Sequence, residues 1–119
     1  MTKTKIYLAS PWWHEDEQIR EARHEIVTRR AGKLMQDGYV VFSPITHSVP
    51  IAEAITSIDE HKPDGKYGHD FWLDQDSYFL QWCDEMWVLK QEGWIESFGV
   101  NWEIDFITKL NKPIRYIHV

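Results

Sequence analysis

Cysteine is nearly absent from this chain of 119 residues: Cys83 stands alone, which excludes an intrachain disulfide and any zinc or iron-sulfur site built from several thiolates. It follows Trp82 just before a buried-looking strand, the setting of an inert thiol rather than a nucleophile. No run of about twenty apolar residues occurs, so nothing reads as a membrane span. The N-terminal segment also lacks the apolar stretch of a secretory leader, and the expectation is a cytoplasmic protein. Positive charge is scarce as well. Thirteen Lys and Arg against nineteen Asp and Glu leave a formal net charge of −6, a poor basis for holding a nucleic-acid polymer, whose affinity comes largely from cations on phosphates. A mononucleotide needs only a few local donors, such as a helix N-terminus, and stays open as a ligand. The six histidines include no close pair at ligand spacing on one helix, so neither a metal nor another cofactor is expected.

What is present is ordinary globular material with one excess. Hydrophobic residues make up 43% and charged residues 27%, which fits one folded domain over residues 1–119, too short for two cores. Seven residues are tryptophan. Large aromatics usually fill cores and subunit contacts, but some of the seven, with Trp12 as the binding candidate, fall close to polar loop residues, where an aromatic face could stack on a ring-shaped ligand.

Residues 5–9 form a short apolar strand broken by Ser10 and Pro11, and residues 15–36 follow with Ile19, Ala22, Ile26, Ala31 and Leu34 near helical spacing. Asp37 and Gly38 stop that helix, and residues 39–42 make a second strand, completing a β-α-β unit with parallel strands. The segment 43–50, with His47, reads as a loop at the carboxyl end of this strand, and 51–58 as a short helix. Residues 59–68 lack periodicity and contain Pro63, Gly65 and Gly68, the composition of a mobile loop or lid. A helix over 69–82, a strand over 86–89, a helix from Ser97 to about 110 and a last strand over 113–117 complete the chain. This order predicts a flavodoxin/Rossmann-like three-layer sandwich with a small, mainly parallel sheet of four to five strands, strand 1 lying between strands 2 and 3. Ligands of such sheets sit beyond the carboxyl ends of the strands, where the loops after strands 1, 2 and 3 converge.

Two groups of acids stand out. Glu103, between Trp102 and Ile104, lies six residues after the Ser97 cap; its position fits equally a wet second-turn Glu and a desolvated carboxylate able to act as nucleophile or base. Asp70, Asp74 and Asp76 share a helix start with Trp72, where compensation of the helix dipole competes with direct contact of Asp76 or Trp72 with substrate. His47 divides between a base or sugar contact and a plain loop histidine.

Lys5-Ile-Tyr-Leu-Ala-Ser-Pro11, Asp84-Glu-Met-Trp-Val-Leu89, Ser97-Phe-Gly-Val-Asn-Trp-Glu103-Ile and Lys112-Pro-Ile114 resemble, in order and spacing, the nucleoside 2-deoxyribosyltransferase-like superfamily, which includes the 2'-deoxynucleoside 5'-phosphate N-hydrolases. The resemblance implies an N-glycosidase acting on a nucleoside or its 5'-monophosphate, by hydrolysis or base transfer. Glu103 matches the nucleophile at the anomeric carbon, Asp84 the acid that helps the base depart, and Tyr7 the residue that orients the nucleophile. Ser97 and Gly99 match the segment holding the sugar or its phosphate. It also implies a homo-oligomer that completes its pocket from a neighbour. The sequence departs from the superfamily in two places. Pro11-Trp-Trp-His14 replaces a Gly-rich loop, with Trp13 where a phosphate-binding Arg is expected, leaving Ser10, Ser97 and backbone N–H groups near Ser97 as the candidate anion donors. Ser97 also stands where the transferases usually carry an acid. A non-catalytic nucleotide-binding module using the same crevice is the alternative reading.

Overall fold

The computed structural model describes residues 2–119. Four strands, β1 (Lys5–Ala9), β2 (Val40–Phe42), β3 (Glu85–Leu89) and β4 (Ile114–Ile117), form one sheet in the order β2-β1-β3-β4. Every pairing is parallel, with Tyr7 opposite Phe42 on one side and Met86 on the other. β1 is therefore central, as expected. The helices are α1 (Glu17–Gln36), α2 (Pro44–Ile55), α3 (His69–Trp82) and α4 (Phe98–Lys109), and none is long and apolar enough to cross a membrane.

Alternation along the central strands builds the two cores. Ile6, Leu8, Trp87 and Leu89 point to one face and pack with Val27, Ala31 and Leu34 of α1. Tyr7, Ala9, Met86 and Val88 point to the other and pack with Leu80 of α3 and with Val100 and Ile107 of α4. The period of two along each strand fixes which residues meet which helix. It sends the Tyr7 side chain toward α4.

One segment differs from the sequence-based expectation. The proposed loop 43–50 is the first part of α2: Ser43 caps it by accepting from the Thr46 amide, and Pro44 stands in the first turn, where its missing N–H costs nothing. Pro50 lies inside the helix and removes one backbone bond. Packing offsets this loss, since Pro44, Val49 and Ala52 are buried and the Thr28 and Thr46 hydroxyls hydrogen-bond across α1 and α2 at 2.8 Å.

Residues 59–68 form a short 3₁₀ turn and a coil that carry internal hydrogen bonds. A 3₁₀ turn, Ile58–His61, leads into a coil in which Tyr67 N donates to Glu60 O at 2.7 Å and Gly65 N to Lys62 O at 2.8 Å. Gly68 is required by close approach: a Cβ there would lie 2.3 Å from the Pro63 carbonyl oxygen. His61 is buried at the end of the turn.

Candidate active site

A cavity of about 470 Å³ opens at the carboxyl end of the sheet, of ordinary size for a small-molecule site. Its walls come from the segment after β1 (Ser10, Trp12, Trp13), from α2, from the 59–68 coil with α3 (His61, Trp72, Asp76), and from the start of α4 (Ser97, Gly99, Glu103). Three of the seven tryptophans, Trp12, Trp13 and Trp72, line it. The others serve elsewhere: Trp87 is buried in the α1-side core and Trp102 stacks with Phe106.

Glu103 is only 4% exposed, and Asp76 7%. The reason is the same on both helices. In α4 the buried residues are Val100, Glu103 and Ile107, and in α3 they are Leu73, Asp76 and Leu80; spacings of three and four put each carboxyl on the inward stripe. The Tyr7 hydroxyl, fully buried, donates to Glu103 Oε2.

These three groups form one electrostatic unit. Burial pushes the Glu103 carboxyl well above the usual carboxylate range, the negative charge of Asp76 pushes it further, and the Tyr7 hydrogen bond opposes both. Burial raises Asp76 to about 7, again against the pull of the Tyr7 hydroxyl. Tyr7 is itself raised, by burial first and then by the Glu103 and Asp76 charges, so its hydroxyl stays a donor. Burial thus favours the protonated form of both carboxyls more than water would.

Around this unit the polar groups are pre-arranged. Ser10 Oγ accepts from the buried Gln91 side chain at 2.6 Å, which leaves its own proton available to donate. Ser97 Oγ accepts from the Val100 amide at 3.2 Å and caps α4. Gly99 follows in the first turn of that helix, where a Cβ would approach Ser97 Oγ no closer than 4.0 Å. Arg23 reaches the cavity from α1, donating to the carbonyls of Trp12 and Trp13. Gly93, at φ +95, makes room for it: a Cβ there would lie 2.4 Å from the guanidinium. At the rim, the His69 and Phe98 rings stack with centroids 4.4 Å apart.

The structure thus gathers Tyr7, Ser10, Trp12, Asp76, Ser97, Gly99 and Glu103 at one cavity. Two expected residues lie elsewhere. Asp84 is exposed at the amino end of β3, where its carboxylate accepts from the Lys5 amide at 2.8 Å. Active groups of a parallel sheet gather at the opposite end, so the acid beside Glu103 is Asp76. His47 sits on α2 against Phe42 and Phe79 and lines a smaller neighbouring depression of about 200 Å³, because the segment that carries it is helical. Arg23 and His61 went unrecognised as site residues. Arg23 reads as one of many charges on an amphipathic helix, and His61 follows no periodic pattern.

No curated protein matches the sequence. Among solved structures, the chain is similar to one described as a 2-deoxyribosyltransferase from the psychrotolerant bacterium Bacillus psychrosaccharolyticus, with a TM-score of 0.65 and 23% identity, over 97% of this chain and 72% of that one. The likeness establishes the fold, an α/β sandwich shared with that protein. Residues 4–118 match the family described as Domain of unknown function (DUF1937), and the chain belongs to that family.

Proposed function

We propose that the protein is an N-glycosidase that breaks the bond between a nucleobase and its sugar in a nucleoside or nucleoside 5'-monophosphate. The observation that carries this reading is the buried pair Glu103 and Asp76, with the Tyr7 hydroxyl donating to Glu103. The fold shared with a protein described as a 2-deoxyribosyltransferase supports it.

Cleavage at C1' passes through a cation-like state. A carboxylate beside C1' stabilises that charge and can trap it, and an acid near the base supplies the leaving group's proton. The Tyr7 hydrogen bond and the positive charge developing at C1' both favour the anionic form of Glu103, and Asp76 is the carboxyl that holds a proton. Glu103 then forms a bond to C1' as the C1'–N bond breaks, and Asp76 protonates the departing base. In the second half, Asp76 takes a proton from water as the water oxygen attacks C1', and the Glu103 carboxylate is released. A second base in place of water gives transfer. Arg23, Ser10 and the N-terminus of α4 offer donors for the sugar or a 5'-phosphate, with Arg23, which lines the cavity, as the candidate cation that position 13 lacks.

The test is chromatographic detection of free base after incubating wild type and Glu103→Gln with nucleosides and their 5'-monophosphates, with and without an acceptor base. Release by wild type alone is the expected result. Undiminished release by Glu103→Gln, or none by either protein, would sink the reading.

A further inference from the structure

The mechanism leaves one buried polar side chain beside the cavity without a part. Gln91, in the segment after β3, is 4% exposed, and its amide nitrogen donates to Ser10 Oγ at 2.6 Å and to the Arg23 backbone carbonyl at 3.1 Å. A backbone carbonyl only accepts, so the nitrogen of the Gln91 amide, and not its oxygen, stands at that junction. Both of its hydrogens are then used, one on Arg23 and one on Ser10. Ser10 Oγ is thereby held as an acceptor, and the proton of its own hydroxyl has no acceptor among the described residues. Ser10 lines the cavity and Gln91 does not. The Gln91 backbone is fixed as well: its N–H donates to Leu89 O at 2.9 Å, and its carbonyl accepts from Trp94 N at 3.1 Å.

Alternation along β1 indicates which part of a ligand this proton meets. Tyr7 and Ala9 face α3 and α4, whereas Ile6 and Leu8 face α1, and Ser10 continues the second set. Its link through Gln91 to the Arg23 carbonyl of α1 agrees with that side. Asp76 and Glu103 come from α3 and α4, so Ser10 stands on the wall across the cavity from the two carboxyls. With the base at Asp76 and C1' at Glu103, the part of the substrate left for the α1 side is the far end of the sugar, which carries the 5' oxygen. We propose that Gln91 is a positioning residue that aims the Ser10 hydroxyl into the cavity as a donor, and that this donor recognises the 5' oxygen of the substrate, as a free hydroxyl or within a phosphate. The inference rests on the glycosidase reading and deepens it. Because its acceptor side is filled by Gln91, Ser10 favours an oxygen with a free lone pair and gains nothing from an analogue that lacks one.

The test measures equilibrium affinity in the Glu103→Gln background for 2'-deoxyadenosine, its 5'-monophosphate and 2',5'-dideoxyadenosine, which lacks the 5' oxygen. Ser10→Ala, Gln91→Leu and the two together are compared. Each single variant is expected to weaken binding of the ligands that carry the oxygen and to leave the dideoxy analogue unchanged. A loss of about 2- to 10-fold on both oxygen-bearing ligands identifies a hydroxyl-type acceptor. A loss of about tenfold or more confined to the monophosphate identifies a phosphate oxygen. The combined variant is expected to lose no more than Ser10→Ala alone, since Gln91 acts through Ser10. In turnover with Glu103 intact, Gln91→Leu is expected to raise KM by the same factor and to keep kcat within about threefold. Equal losses on all three ligands, additive losses in the combined variant, or affinities that neither variant changes overturn the assignment. Should Gln91→Leu fail to fold, Gln91→Glu, which keeps the shape but accepts the Ser10 proton, takes its place with the same expectations. The selective pattern without base release keeps the roles of Gln91 and Ser10 and removes the glycosidase. Base release without the selective pattern does the reverse. Failure of all three ligands to bind overturns both.

Discussion

The hydroxyl of Tyr7, at the centre of the sheet, donates to the carboxylate of Glu103, ninety-six residues further along the chain, and both groups are buried. A central strand is the least mobile element of such a fold, and a hydrogen bond from it fixes the carboxylate where its own helix would leave it several rotamers. Tyr7→Phe keeps the ring in the core and removes only that donor. A hydrogen bond to a charged group is worth about 1.5–3 kcal/mol, so kcat is expected to fall by about 10- to 150-fold. The Tyr7 bond holds the Glu103 carboxyl down, so its loss is also expected to move the acid limb of the rate profile to higher pH. Base-release kinetics across pH check both effects; an unchanged kcat would remove Tyr7 from the mechanism.

Asp76 gives the opposite limb. The pair must hold one proton for the base to leave protonated, and Asp76 is raised to about 7. The rate is expected to decline as pH rises through that value. Asp76→Asn has no proton to lose or to give, and kcat/KM with a poor leaving base is expected to drop by about 10²–10⁴ while the alkaline decline disappears. A chemically activated nucleoside, whose leaving group needs no proton, should be spared most of the loss. Equal losses on both substrates would show that Asp76 does not act as the acid.

The same carboxyls have a signature in stability. Both are raised in the folded protein, so the native state binds more protons than the unfolded chain between the ordinary carboxylate range and the folded values. Their contribution is therefore present in full at pH below about 4 and is lost as pH rises toward 7 and beyond. Glu103→Gln and Asp76→Asn remove the buried charge. Denaturant unfolding is expected to show each variant close to wild type near pH 4 and more stable than wild type at pH 8. A margin that stays constant across this range would mean that the carboxyls are not perturbed.

Most of the architecture was readable from alternation and helical spacing, because Ile6 to Ala9 and Met86 to Leu89 are apolar on both faces and only a sheet covered on both sides buries them. Glu103 was also within reach of spacing, since Val100, Glu103 and Ile107 form one buried stripe. Asp76 has the same signature with Leu73 and Leu80, but the neighbouring Asp70 and Asp74 concealed it, as three acids at a helix start also answer the helix dipole. The extent of α2 was obscured by Pro44 and Pro50, whose local preference tertiary packing overrides. His61 could not be found by pattern. Its burial depends on Gly65 and Gly68 letting the backbone close on itself, and on the partner Trp72 eleven residues away.

Asp84 tests the boundary between motif and geometry. It sits where the superfamily pattern implies a catalytic acid, yet its carboxylate accepts from the Lys5 amide on the exposed amino end of the sheet. Its role there is to satisfy one backbone donor at the start of β1. Asp84→Ala is expected to cost about 0.5–1.5 kcal/mol of stability and to leave kcat/KM within about threefold of wild type, with the alkaline limb in place. Asp76→Asn, by contrast, abolishes that limb, so the two variants measured side by side on one substrate separate the readings. Loss of activity in Asp84→Ala with Asp76→Asn unaffected would return the acid to Asp84, which would require the amino end of the sheet to meet the substrate. In a single chain with this parallel topology, that end faces away from Glu103 and the cavity.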